Sequence, residues 1–284
     1  MGYEKRIYEA PNHIEYEFLY TGEYGSKGEK KKKEKPTELK IKQYNQWQQE
    51  KRVRRLLQLN FFEDDYWVCL KYRQHTKKDI EEVKKDVRRF IRRLKTLYRR
   101  QGKELKFIYR IEIGKQGGVH VHFISNRVSD TDLLLKDAWK RASNETGVID
   151  LRMAYEEGGF EKLAAYITKD ATEEIQGQLK FNIADEQAKK VFTVSTSRNL
   201  IRPEPEKRKY KHWTMRKLLT DGPKPSEGFH IETDSIEIRV NPYTGYTHYC
   251  YRESRIKPIT RKEYENDLLS KDSCSHQHKN SHKA

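Results

Sequence analysis

The chain has 284 residues, with 59 Lys and Arg against 43 Asp and Glu, a formal net charge of +16. Such a balance favours a polyanionic partner, nucleic acid being the commonest, while the lack of a long apolar run or an N-terminal signal segment argues against a membrane partner or secretion. Cys69, Cys250 and Cys274 form neither a metal spacing nor a disulfide framework, so a reducing, cytoplasmic setting is expected.

Residues 1–37 mix aromatics with glycines and a lysine run ending at Pro36, and read as an N-terminal extension with a Lys-rich linker. A helix is expected from Glu38 to Gln58, with Ile41, Tyr44, Leu56 and Leu57 among basic residues, of which Arg52 and Arg55 are candidates for DNA contact. A strand near 65–72 follows. The next helix, near 78–99, carries Ile80, Val83, Val87, Phe90, Ile91, Leu94 and Leu97 on one stripe, with a capping box expected from Thr76 and Asp79. Strands near 105–113 and 119–125 flank turn residues Lys115 to Gly118. A helix near 130–143 containing Trp139, a strand near 148–152 and a helix over 159–170 complete the series.

This β-α-β-β-α-β-α order implies an α+β fold: an RRM-like, split βαβ antiparallel sheet with two helices on one face and the last helix near the open face. In that topology the third strand is central. The domain is expected to span 38–203. Residues 204–228, rich in Pro, Lys and Glu, read as a linker around a short helix near Trp213. Residues 229–265 read as a strand-rich C-terminal extension turning at Asn241 to Gly245, and 266–284 as a mobile tail.

Alternation assigns the chemistry to one sheet face. Phe107, Tyr109, Ile111 and Ile113 alternate with Ile108, Arg110 and Glu112, and Val119, Val121 and Phe123 alternate with His120 and His122. Taken alone, His120-Val121-His122 reads as two half-exposed strand histidines. Pairing of the two strands makes Glu112 converge with both imidazoles, a set suited to Mg²⁺ or Mn²⁺ with positions left for a substrate oxygen. On the last helix Tyr166 and Lys169 are three residues apart and share a face. By themselves they would be a core tyrosine and a solvated lysine; beside a metal triad they become a phenol able to attack a phosphodiester and a cation able to ease its charge.

The His-hydrophobic-His motif followed by Tyr166-x-x-Lys169 resembles the rolling-circle replication initiators of the HUH endonuclease superfamily, of the single-tyrosine type found in small plasmids and single-stranded DNA phages. Leu59-Asn60-Phe61-Phe62 with the strand Asp65 to Tyr72 is similar to that family's first motif, although Cys69 and Lys71 stand where threonines are usual. Asp137 and Trp139, and Ser197 to Leu200 ahead of Pro203, are similar to its flanking landmarks. The resemblance covers 38–203 and is strongest over 105–170.

It implies a metal-dependent enzyme that nicks and rejoins one DNA strand, with Tyr166 as nucleophile, Lys169 assisting, and His120, His122 and Glu112 as metal ligands. A covalent 5′-phosphotyrosine and a priming 3′-hydroxyl would follow. Expected partners are single-stranded or hairpin origin DNA, a host helicase and a DNA polymerase, since no phosphate-cradling NTPase loop is present. Trp67, Cys69 and Lys71 share a strand face; if it is the open one, Lys71 joins Arg110, Arg52 and Arg55 as an expected phosphate contact, and with the register reversed that contact disappears. The alternatives are a transposase or relaxase with the same chemistry, or a noncatalytic DNA-binding repressor. The second His-x-His, at His276 and His278 near His282, lacks any strand context and is read as a tail with adventitious metal affinity.

Overall fold

Strand alternation and helical stripes sort the side chains of this chain onto faces that then pair. The structure, a computed structural model, describes residues 2–20, 37–76, 78–113, 118–154, 159–169, 194–210, 215–240 and 246–267. In chain order its elements are β1 (Tyr3–Glu9), β2 (His13–Tyr20), α1 (Glu38–Asn60), β3 (Tyr66–Tyr72), α2 (Ile80–Arg100), β4 (Phe107–Ile113), β5 (Val119–Ser125), α3 (Thr131–Ala142), β6 (Gly147–Met153), α4 (Gly159–Thr168), β7 (Ser195–Thr196), β8 (Glu206–Tyr210), α5 (Arg216–Asp221), β9 (Phe229–Ile231), β10 (Glu237–Val240) and β11 (Thr247–Arg255). The chain divides into two compact units, Asn45–Ile201 and Met1–Tyr44 with Arg202–Ala284.

The first unit holds an antiparallel sheet of order β6-β3-β5-β4-β7. Within β3-α2-β4-β5-α3-β6, the third strand, β5, lies between β3 and β4, as the split βαβ arrangement requires. Val83, Val87, Phe90 and Leu94 of α2 recur at helical spacing and bury against Val68, Leu70, Val121 and Phe123. Trp139 of α3 joins this core, and its indole Nε1 donates to Lys71 O at 3.0 Å. Gly147 permits that approach: a Cβ there would lie 2.3 Å from Ser143 Oγ and 2.6 Å from Trp139 Nε1. The α2 cap is formed by Asp79 with Glu82, not by Thr76 with Asp79, because the helix begins at Ile80 and Glu82 is the residue that reaches back to the cap nitrogen.

The opposite sheet face is also partly covered. Val53, Leu56 and Leu57 of α1 and Phe160, Leu163, Ala164 and Ile167 of α4 pack with Trp67, Ile108 and Ile124 in a second core. Buried Asn60 connects distant landmarks, since its side chain donates to Ile201 O at 2.8 Å and accepts from Ile201 N at 2.8 Å. Asp65, fully buried, accepts from the backbone N–H of Phe62 and of Arg127 and so fixes the start of β3.

The second unit corrects the expectation of separate terminal extensions. Its sheet runs β10-β11-β2-β1-β8, with β9 also paired to β11, so the N-terminal hairpin is hydrogen-bonded to the C-terminal strands. Tyr16 stacks on Tyr251 at 4.8 Å, within a core that includes Tyr3, Ile7, Phe18 and Tyr249. β8 falls in what the sequence suggested was a linker, and α5 follows the expected position at Trp213, which itself lies outside the described residues. The Lys-rich run at 29–35, the turn at 114–117, the turn at 241–245 and the tail histidines lie outside them too.

Candidate active site

Glu112, His120 and His122 lie on the sheet face against which α1 and α4 pack. Register sets Glu112 opposite His120, while His122 lies between Arg110 on β4 and Cys69 on β3. Their atoms converge: Glu112 Oε2 lies 2.9 Å from His122 Nε2 and 3.5 Å from His120 Nε2. Trp67 stacks on the His122 ring at 5.5 Å and an interplanar angle of 11°, fixing its plane. His120 meets His122 edge-on at 4.9 Å.

α4 brings Tyr166 to the same point. Its hydroxyl lies 3.2 Å from His122 Nε2 and donates toward Glu112 Oε2 at 3.4 Å. Tyr166 is 45% exposed, although most large apolar residues of α4 are buried, so the phenol stands at the edge of the cluster and not in the core. Tyr166, His120 and His122 line a cavity of about 450 Å³, whose lining also includes Lys71, Asp150, Arg152 and Lys162.

Burial, followed by the neighbouring Glu112 carboxylate, pushes the Tyr166 phenol up to about 12. Hydrogen bonds from His120 and His122 hold the Glu112 carboxyl well below the usual carboxylate range, and burial pushes His122 down. Tyr166 is thus a neutral phenol at neutral pH beside an ionised carboxylate. The groups sharing protons at Glu112 Oε2 are also the donor set a divalent cation would take in place of those protons. Cys69 Sγ lies within 4.8 Å of the histidine ligand atoms, a soft donor that as a thiolate would favour Zn²⁺. Burial pushes its thiol up to about 11.

The other sequence candidates are distributed unevenly. Lys71 is on the cavity wall, paired with Asp150 at 3.7 Å, and Arg152 approaches the same carboxylate at 3.5 Å. Lys169 lies beyond the last residue of α4, is exposed, and is not among the described residues lining the cavity; Lys162, one turn before Tyr166, is. Arg110 was expected at a phosphate together with Lys71, Arg52 and Arg55. Its guanidinium is buried and donates to Ile167 O at 2.6 Å, so it caps the C-terminal end of α4 instead of facing a phosphate. On α1, Arg52 is exposed and Arg55 half-buried. The residues that sequence reasoning missed, Arg152, Asp150 and Lys162, had one available signal, the parity that places 150 and 152 opposite Cys69 and Trp67.

Residues 65–172 match the family model of replication-associated protein ORF2/G2P. The match begins just before β3, takes in every residue of the Glu112, His120, His122 and Tyr166 cluster, and supports a replication initiator. No curated protein and no solved structure matches the chain.

Proposed function

We propose that this chain nicks and rejoins one strand of DNA at a replication origin, initiating rolling-circle replication through a covalent link at Tyr166. The observation that carries the reading is the placement of the Tyr166 hydroxyl 3.2 Å from His122 and 3.4 Å from Glu112, at the mouth of a cavity bordered by Lys71, Arg152 and Lys162. Tyr166 Oη gives up its proton as it attacks the phosphorus, the bond from phosphorus to the 3′ oxygen breaks, and that oxygen takes up one proton and leaves as a 3′-hydroxyl. The 5′-phosphate remains on the tyrosine, and the reverse attack by a 3′-hydroxyl rejoins the strand without a nucleotide cofactor.

Lys71, Arg152 and Lys162 place positive charge where the strand's phosphates must enter, and Trp67 keeps His122 from turning away. A Mg²⁺ or Mn²⁺ ion on His120, His122 and Glu112 would polarise a phosphate oxygen and offset charge developing there. The partner is single-stranded or hairpin origin DNA, with a host helicase and polymerase extending the released 3′ end.

Tyr166→Phe tests the reading because it keeps the ring and removes the nucleophile. Labelled single-stranded origin DNA and the wild-type chain should give a denaturation-resistant adduct with the label on the Tyr166 peptide. The phenylalanine variant should bind equally and form none. An adduct that persists in the variant assigns another nucleophile; a wild type that binds origin DNA and never reacts, with either cation present, is a repressor.

A further inference from the structure

On the far side of the sheet from Tyr166, α2 presents a row of cations to solvent. Its apolar positions, Val83, Val87, Phe90 and Leu94, bury against the sheet face opposite the histidines. Lys85, Arg88, Arg92, Lys95 and Arg99 are all exposed and recur at alternating intervals of three and four residues, the spacing of one helical stripe. At 1.5 Å per residue they span about 21 Å.

These cations differ from their neighbours in what they touch. Arg89 and Arg93 are engaged by Asp86 and Asp137. Among the described residues, no carboxylate lies within ion-pair distance of the five in the stripe; Lys95 alone has a ring beside it, Phe107 at 5.8 Å. At the C-terminal end, Lys95 and Arg99 meet Arg198 around a second cavity of about 510 Å³, where Glu104 is the single acid. A helix that keeps five aligned cations clear of acids, while pairing the arginines beside them, is arranged for an external anion of repeating charge.

We propose that this stripe is a track for the phosphate backbone of double-stranded DNA, separate from the cavity of Tyr166. The row follows one face of a single helix for about 21 Å, and a duplex presents a regular rod of phosphates over the same length. Single-strand binding uses exposed aromatic rings on which bases stack. The exposed positions of α2 are Glu, Lys, Arg and Thr, with no aromatic among them. The track therefore fits duplex and lacks the platform for unpaired bases. It goes beyond the nicking reading and does not depend on cleavage.

The test uses the full chain carrying Tyr166→Phe, so that no DNA is cut, with a 20-base-pair duplex and a single strand of equal length, by fluorescence anisotropy across a salt series. Adding Arg88→Gln, Arg92→Gln and Arg99→Gln should weaken duplex binding by about tenfold or more and reduce the slope of log affinity against log salt by roughly 0.9 for each phosphate no longer neutralised. Single-strand affinity, and nicking of a short single strand by the same triple variant with Tyr166 restored, should be unchanged. An equal removal of charge at Arg216, Lys217 and Lys257 should leave the duplex slope in place. Unaltered duplex binding by the stripe variant, an equal loss for single strands, or an equal loss from the control triple would each overturn the track. Loss of nicking by Tyr166→Phe bears only on the catalytic reading, and the duplex measurement stands whichever way that falls.

Discussion

Arg110 and Glu112 stand two residues apart on one face of β4 and do different work. Glu112 is held by two imidazoles, while the Arg110 guanidinium is buried and donates to the carbonyls of Ile167, at 2.6 Å, and Tyr166, at 3.5 Å. Arg110→Met should leave those carbonyls without their donor and lower stability by about 1–3 kcal/mol. Nicking should slow in step, because the helix end that positions Tyr166 is loosened; Arg110→Lys should recover part of both. A direct phosphate contact would instead lower DNA affinity and leave thermal unfolding where it was. For the proposed metal ligands, His120→Ala with His122→Ala should cut Mn²⁺- or Mg²⁺-supported nicking by about a hundredfold or more while DNA binding persists. Undiminished nicking in that double variant would sink the assignment. The histidine and glutamate positions were legible because strand parity alone decides their face. Which lysine near Tyr166 borders the cavity was not: a tyrosine with lysines at both i−4 and i+3 gives no sign of where the helix ends, and the structure ends it at Thr168, ahead of Lys169.

At the level of elements, strands and helices from β3 to α4 were readable because each carries a single strong period and one buried face. α2 is the plainest case, with its apolar stripe, acidic first turn and basic last turn. Its start rests on Asp79, whose side chain accepts from Glu82 N at 2.8 Å while Glu82 Oε2 accepts from Asp79 N at 3.0 Å. Asp79→Ala should cost about 1 kcal/mol, a drop in midpoint of roughly 2–4 °C for a unit of this size, measured by calorimetry; Thr76→Ala should change little. α1 was legible as a helix and not as a lid on the histidine face. Its buried set includes Lys51, Arg54 and Gln58 beside Val53 and Leu57, so polarity gives no clean stripe from which to infer what it covers.

Across the whole molecule, the pairing of β2 with β11 joins residues more than two hundred positions apart, and strands rich in Glu and Tyr contain nothing that names their partner. That is why the N-terminal hairpin read as an extension when it is part of a sheet. The same union creates a carboxylate whose charge is tied to folding. Burial pushes Glu232 up, but hydrogen bonds from His13 and Ser254 and the charge of Arg252 outweigh it and hold the carboxyl well below its usual range. Arg252 Nε donates to Glu232 Oε2 at 2.9 Å, and His13 Nδ1 lies 3.5 Å from Oε1, so N-terminal and C-terminal strands meet at one acid. A depressed folded-state pKa stabilises above the unfolded carboxyl value, about 4.3, and the stabilisation is lost as pH falls below it toward the folded value. Glu232→Gln preserves shape and removes the charge. Its melting midpoint should lie below wild type by a constant margin from pH 7 to about pH 5, and the two should converge as the pH is lowered toward 3. A margin that stays constant down to pH 3 would show that the hydrogen-bonding geometry of the amide, and not the charge of the carboxylate, accounts for the difference.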